Sequence, residues 1–245
     1  MNRYQLMLIQ NPLKIQFFSI PSSVIELKEN WRYEKIDVTV MPNNKMFINY
    51  EDKFIIGKSC IESDIFDVLI FCRFNVEYAK VPSFIKKIRF DAFGMRSKLK
   101  TIEFEKDSKV KVIEKNSFHL SSLVKINIPS RVTKISFCAF CKCDKLKIIN
   151  FTEDSKLKLI EEDAFLESSI DSFFIPPHVI KIDKNAFYCL NLKIIEIAEN
   201  SELISLTPDS FSNYKPDIMM MPANLCDKSH IKKWMERFNI DFLKK

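Results

Sequence analysis

The sequence is nearly without glycine. Of 245 residues, only Gly57 and Gly94 are glycine. That leaves no room for a glycine-built phosphate loop and excludes collagen-like or linker-rich chains. Histidine is also scarce, with His119, His178 and His230 each isolated. Nucleophilic catalysis needs a Ser or Cys beside a base that a third group orients, and no such set can be read here. No run approaches 18 consecutive apolar residues, so no membrane-spanning helix is expected. Met1 to Leu13 carries one Arg and a short apolar run, Leu6 to Ile9, with no small-residue cleavage site after it. No secretory signal is read there. The 7 Cys are an odd number, scattered from Cys60 to Cys226. They suggest no disulfide framework and fit a reducing, cytoplasmic setting.

The chain is rich in Phe, with 22, and is 47% apolar and 29% charged. Such a chain can bury enough surface to offset its ordering entropy. The net charge of +6 is spread among alternating Lys, Glu and Asp. It describes a mildly basic surface without a nucleic-acid-binding stripe.

An internal repeat decides the architecture. Pro82, Pro129, Pro176 and Pro222 lie 47, 47 and 46 residues apart. Within that period Phe93, Phe118, Phe140, Phe165, Phe187 and Phe211 are spaced by 25, 22, 25, 22 and 24 residues. A small residue, Ala or Ser, precedes each Phe. Five residues before it stands Ile88, Ile113, Ile135, Ile160, Ile182 or Leu206. Eight before it stands Ile85, Val110, Val132, Leu157, Val179 or Leu203. An alternating stretch follows each Phe and ends in pairs such as Ile102 with Phe104, Ile126 with Ile128, and Phe173 with Ile175. Alternation predicts a short strand with one buried face. One such unit cannot bury its apolar stripe alone. Stacked units bury a continuous core with the Phe column as its spine.

These units resemble the leucine-rich repeats of the BspA-like family of bacterial and protist surface proteins. The likeness rests on strings such as IPSRVTKISFCAFCKCDKLKIINF (Ile128–Phe151) and IPPHVIKIDKNAFYCLNLKIIEI (Ile175–Ile197). It covers about Val81 to Pro222. The resemblance implies a solenoid with a concave parallel sheet, a role in binding or adhesion, no catalysis and no cofactor. The family often has Gly four residues before the Phe. Here Arg89, Glu114, Ser136, Glu161, Asp183 and Thr207 stand there, which disfavours a positive φ at that point.

The expected fold is a β-dominated leucine-rich-repeat solenoid of about six turns of 22–25 residues. Residues 81–222 form the array. Residues 1–80 form an N-terminal segment with a degenerate unit at Ile20–Leu27, a strand within Ile36–Pro42, and a β-hairpin insertion. The insertion is read from Met46–Tyr50, Phe54–Lys58, Val68–Cys72 and Val76–Pro82. It either caps the first turn or protrudes to bind. Residues 223–245 form a C-terminal cap. There Asp227 as N-cap, with Ile231, Trp234, Met235 and Phe238, predicts a short amphipathic helix. A membrane-surface helix is the alternative, given Lys232, Lys233 and Lys244.

Cys138, Cys141 and Cys143 form C-x-x-C-x-C. The spacing allows a metal, a reactive or paired thiol, or buried structural cysteine. No fourth ligand sits nearby, so no metal site is assigned. The outward strand positions are more informative. Thr101 and Glu103 are polar. Lys125, Asn127, Ile148, Asn150, Ser172, Phe174, Ile194, Glu196, Ile218 and Met220 form the candidate partner-binding concave face, increasingly apolar from the third turn. Phe174 is its expected aromatic anchor. The patch could instead lie under the C-terminal segment. The expected function is non-catalytic binding of a protein or glycan, as a surface antigen or adhesin. The alternatives are an intracellular scaffold and, more remotely, a basic solenoid that binds nucleic acid.

Overall fold

A computed structural model describes residues 17–28, 37–189, 191–206, 208–211, 216–226 and 241–244. Strands β1 (Phe17–Ile20) and β2 (Asp37–Val40) pair in parallel. Then come β3 (Phe47–Tyr50), β4 (Phe54–Gly57) and β5 (Val68–Cys72). From there, strands of four residues alternate with strands of two. They are β6 (Tyr78–Val81), β7 (Lys87–Ile88), β8 (Thr101–Phe104), β9 (Val112–Ile113), β10 (Lys125–Ile128) and β11 (Lys134–Ile135). The series continues with β12 (Ile148–Phe151), β13 (Leu159–Ile160), β14 (Ser172–Ile175), β15 (Lys181–Ile182) and β16 (Ile194–Ile197). Strand β17 (Ile218–Met221), helix α1 (Ala223–Cys226) and strand β18 (Asp241–Lys244) complete the described chain.

The repeat columns become three ladders. The four-residue strands form two parallel sheets, β6-β8-β10-β12 and β14-β16-β17-β18. The two-residue strands join in parallel from β7 to β15. The third ladder runs through the Phe turns, where each Phe N–H donates to the carbonyl of the residue before the next Phe. Phe93 donates to Ser117 at 2.7 Å, Phe118 to Ala139 and Phe140 to Ala164 at 2.8 Å, and Phe165 to Ala186 at 2.9 Å.

The Phe rings stack face to face inside. Centroids are 4.9 Å apart from Phe93 to Phe118 and from Phe118 to Phe140. The spacing opens to 5.4, 5.6 and 5.7 Å on to Phe211. All six rings are buried, as are the aliphatics five and eight residues before them. This continuous core is what single units lack.

Positive φ falls two residues before the Phe, at Asp91, Asn116, Cys138, Asp163 and Asn185, and two after it, at Met95, Leu120, Lys142 and Glu167. Among the described residues four before the Phe, none has it, in line with the missing Gly there. Asn and Asp tolerate the left-handed region better than most residues, which explains their recurrence in the first of these columns.

The inserted hairpin, β3 and β4, does not protrude. Strands β3, β4 and β5 form an antiparallel meander, and β5 runs parallel to β7, so the meander extends the short-strand ladder. Strands β4 and β5 are buried on both faces, which explains their unbroken apolar runs. Phe54, Ile56, Leu69 and Cys72 join the main core. Ile55, Val68, Ile70 and Phe71 join a second core with Ile20, Val24, Leu27, Val38 and Val40. The meander is thus a shared wall between the N-terminal turns and the array. Phe54 ends the Phe spine with an edge contact, 6.2 Å from Phe93 at 79°. Asn44 ties the second core together. Its Nδ2 donates to the Pro21 and Val24 carbonyls at 2.7 and 3.0 Å. Its Oδ1 accepts the Met46 and Phe47 N–H groups, both at 2.8 Å.

One expectation needs correction, and another falls on residues the structure does not describe. The solenoid has about eight turns, not six. The Phe column counts only turns that carry the Phe signature, whereas β1 and β2 are held by aliphatics such as Val24, Leu27 and Val38 without it. The predicted capping helix, from Asp227 through Phe238, lies outside the described residues. What is described near it is the four-residue α1 and β18, which adds to β17 in parallel, Ile218 opposite Asp241.

Candidate binding face

The outward positions of the four-residue strands form two rows. In the first sheet, Tyr78, Thr101, Lys125 and Ile148 lie side by side. Lys80 faces Glu103, and Asn127 faces Asn150. In the second sheet, Ser172, Ile194 and Ile218 share one row, and Phe174, Glu196 and Met220 the other. The register follows from the inward aliphatics, because a one-residue slip would turn every buried side chain outward.

All ten predicted residues occupy this face. Lys125, Asn127, Ile148, Asn150, Ser172, Phe174 and Ile194 are exposed, and Glu196, Ile218 and Met220 are half-buried. Ile148 is 46% accessible, Phe174 38% and Ile194 37%, high values for apolar residues in the middle of a sheet. The polar part is organised by direct bonds. Asn150 Nδ2 donates to Asn127 Oδ1 at 2.9 Å. The Tyr78 hydroxyl donates to Glu103 Oε2 at 2.6 Å. That bond raises the Tyr78 pKa above its ordinary value. Tyr78 belongs to the face but was not among the predicted residues. Its alternation with Lys80 in VEYAKVP was the signal available.

The structure does not bring the ten residues onto one unbroken sheet. β12 and β14 are not paired, so Ile148 lies on one sheet and Phe174 and Ile194 on the next. At the break, the inward position holds Phe173, where other turns hold Ile102, Ile126, Ile149 and Ile195. The Phe173 ring packs edge-on against Phe187 at 4.7 Å and tilts against Phe165 at 5.2 Å. It also meets Phe151 edge-on at 5.6 Å. The larger ring takes up space inside the core that an Ile would leave to closer strands. The short-strand ladder stays continuous here, Leu159 opposite Lys181.

The other chemical candidates fall elsewhere. His178 Nδ1 meets Glu202 Oε1 at 2.8 Å on the surface. Half-burial lowers the His119 pKa by desolvation. The C-x-x-C-x-C residues divide. Cys143 turns inward and donates to the Phe118 carbonyl at 3.0 Å, and Cys189 does the same to Phe165 at 3.1 Å. Burial pushes both thiols up to about 12. Among the described residues, no three His, Cys, Asp or Glu converge to hold a metal, and no helix is long and apolar enough to cross a membrane.

The model of the BspA type leucine-rich repeat region matches in six copies, over residues 64–188 and 111–227. The chain belongs to the BspA-type leucine-rich repeat family. Its fold is shared with the pneumococcal vaccine antigen PcpA, with a TM-score of 0.59 at 19% identity, over 94% of this chain and 56% of that one. A leucine-rich repeat protein from Eubacterium ventriosum gives 0.60 at 20% identity, over 80% of this chain and 55% of that one. This BspA-type chain therefore spans little more than half the length of either. At these identities the likeness is one of fold. No curated protein matches the sequence.

Proposed function

We propose that this BspA-type chain is a non-catalytic binding module that engages a protein or glycan through the outward face of its four-residue strands. Residues 81–222 supply the Phe-marked repeats, flanked by an N-terminal segment at 1–80 that holds the two turns without the Phe and the β3–β5 meander, and by a capping segment at 223–245. The observation that carries this reading is the exposure of Ile148, Phe174 and Ile194 on the outward face of the two neighbouring sheets, with Lys125, Asn127 and Asn150 beside Ile148 on the first. Apolar surface with a polar rim is the usual make-up of an interaction site. Phe174 is its aromatic anchor. The surface-antigen role is supported by the family and by PcpA, which is described as a vaccine antigen.

The test uses wild type and the double variant Phe174→Asp, Ile194→Asp as bait against surface extracts of the source cells and a glycan array. A partner kept by wild type and lost by the folded variant supports the assignment. Equal retention by both removes this face from the function.

A second reading, an intracellular scaffold, is favoured by the odd number of cysteines, 7, scattered along the sequence. Antibody labelling of intact against permeabilised cells separates the two. Signal on intact cells supports the surface role, and signal only after permeabilisation supports the scaffold.

A further inference from the structure

The Phe turns carry a feature that the binding face does not use. In the first Phe turn, the side chain two residues before the Phe reaches toward the residue one after it. These are Asp91 and Gly94, and a Cβ on residue 94 would overlap the Asp91 carboxylate. In the third Phe turn the same two places hold Cys138 and Cys141. The Cys141 N–H donates to the Cys138 carbonyl at 3.2 Å. A turn of that span holds its end Cα atoms within about 7 Å, a separation that disulfides bridge. Cys138 is partly open to solvent and Cys141 is buried beneath it. Cys143 is committed to the Phe118 carbonyl inside the core and does not join them.

We propose that Cys138 and Cys141 form a dithiol modification site, oxidised to an intramolecular disulfide by a hydroperoxide or a small disulfide such as oxidised glutathione. With hydrogen peroxide, the accessible Cys138 thiolate attacks one peroxide oxygen. The O–O bond breaks, Cys138 becomes a sulfenic acid, and one water leaves. The Cys141 sulfur then attacks the Cys138 sulfur, the S–S bond forms, and the sulfenic oxygen leaves as a second water. Two thiols lose two electrons and two protons, and the peroxide takes both. With oxidised glutathione, Cys138 first forms a mixed disulfide and Cys141 expels the second glutathione thiolate.

The electrostatics favour this order. The neighbouring Cys141 thiol holds the Cys138 thiol below its ordinary pKa, against burial and the Asp163 charge, and Lys142 acts in the same direction. The Cys138 thiol beside it, together with burial, pushes the Cys141 thiol well up. The thiolate is the attacking form, so the exposed partner reacts first and the buried one resolves it.

Trypsin provides the readout. Cleavage after Lys134 and Lys142 releases Ile135–Lys142, which holds these two cysteines and no other. Native protein is treated with hydrogen peroxide or oxidised glutathione, alkylated, digested and weighed. The expected peptide is unalkylated and short of two hydrogens, and dithiothreitol restores two alkylatable thiols. Cys141→Ser should trap one glutathione on Cys138, and Cys138→Ser should leave Cys141 unmodified. A doubly alkylated peptide, under conditions that modify the exposed Cys60, would overturn the proposal. So would a stable glutathione adduct on Cys138 in wild type, or modification of Cys141 in Cys138→Ser at the wild-type rate.

Discussion

The Glu161 carboxylate of one turn accepts the Phe137 backbone N–H of the turn before it, at 2.9 Å. Its other oxygen takes Lys134 Nζ at 3.0 Å. Glu114, 47 residues earlier, repeats the arrangement. It accepts the Phe90 N–H at 2.8 Å and meets Lys87 at 2.6 Å. In both cases the satisfied N–H lies just before a left-handed residue, Asp91 or Cys138. Glu161→Ala should lower stability by about 1 kcal/mol, the scale of a charge-assisted bond at a partly exposed site. The exposed neighbour Glu162 has no such bond, and Glu162→Ala should stay within about 0.5 kcal/mol. Urea unfolding of both variants checks this, and equal effects would contradict it.

The Phe spine makes a larger demand. Phe140 is fully buried and stacks at 4.9 Å on Phe118 and 5.4 Å on Phe165. Phe140→Ala should cost about 3–5 kcal/mol, because a neighbouring turn cannot collapse into the gap without breaking its own ladders. Phe140→Leu should cost distinctly less. Because repeat arrays couple only nearest neighbours, the Ala variant should also broaden or split the unfolding transition. A cost below about 1 kcal/mol would mean that the spine is not a main source of stability.

Legibility in the sequence follows from how uniform the physical demand is. Phe93, Phe118 and Phe140 fill equivalent spaces in successive turns, so the column can be seen without a structure. The strands β3, β4 and β5 are equally plain as apolar runs. What they do is not, because burial of Ile55 on one core and Ile56 on another depends on what packs against each face. The candidate face was legible as outward alternation from Lys125 to Met220. The break across it was not. Phe173 fits the apolar column as well as Ile does, and only packing against Phe165 and Phe187 reveals the difference. The two N-terminal turns lack the Phe marker and so escaped the turn count.

The left-handed column after each Phe is poorly matched to its residues. Met95, Leu120, Lys142 and Glu167 hold φ between 54° and 58°. A non-Gly residue there carries strain of about 1 kcal/mol or more. Leu120→Gly should therefore stabilise or be neutral, since Leu120 is also exposed, whereas Leu120→Val should destabilise by about 1–2 kcal/mol. Asn116→Gly, at a position already held by a tolerant residue, should change little. Thermal unfolding of the three variants orders them, and a stable Val variant would remove the strain argument.

The inward thiols give the fold a dependence on alkaline pH. Cys143 and Cys189 are pushed up from 9.0 to about 12, mainly by burial. A raised thiol pKa means that the folded state holds its proton more tightly than the unfolded chain does. The resulting stability is full below about 9 and falls as pH rises toward about 12. Wild type should thus lose stability steeply above pH 9. The double variant Cys143→Ala, Cys189→Ala should start less stable, because it loses two bonds to the Phe118 and Phe165 carbonyls. It should also lose less between pH 8 and pH 10, about the range in which the unfolded thiols ionise. Urea midpoints measured across that range give both slopes. Parallel slopes would place the alkaline loss elsewhere than in these two thiols.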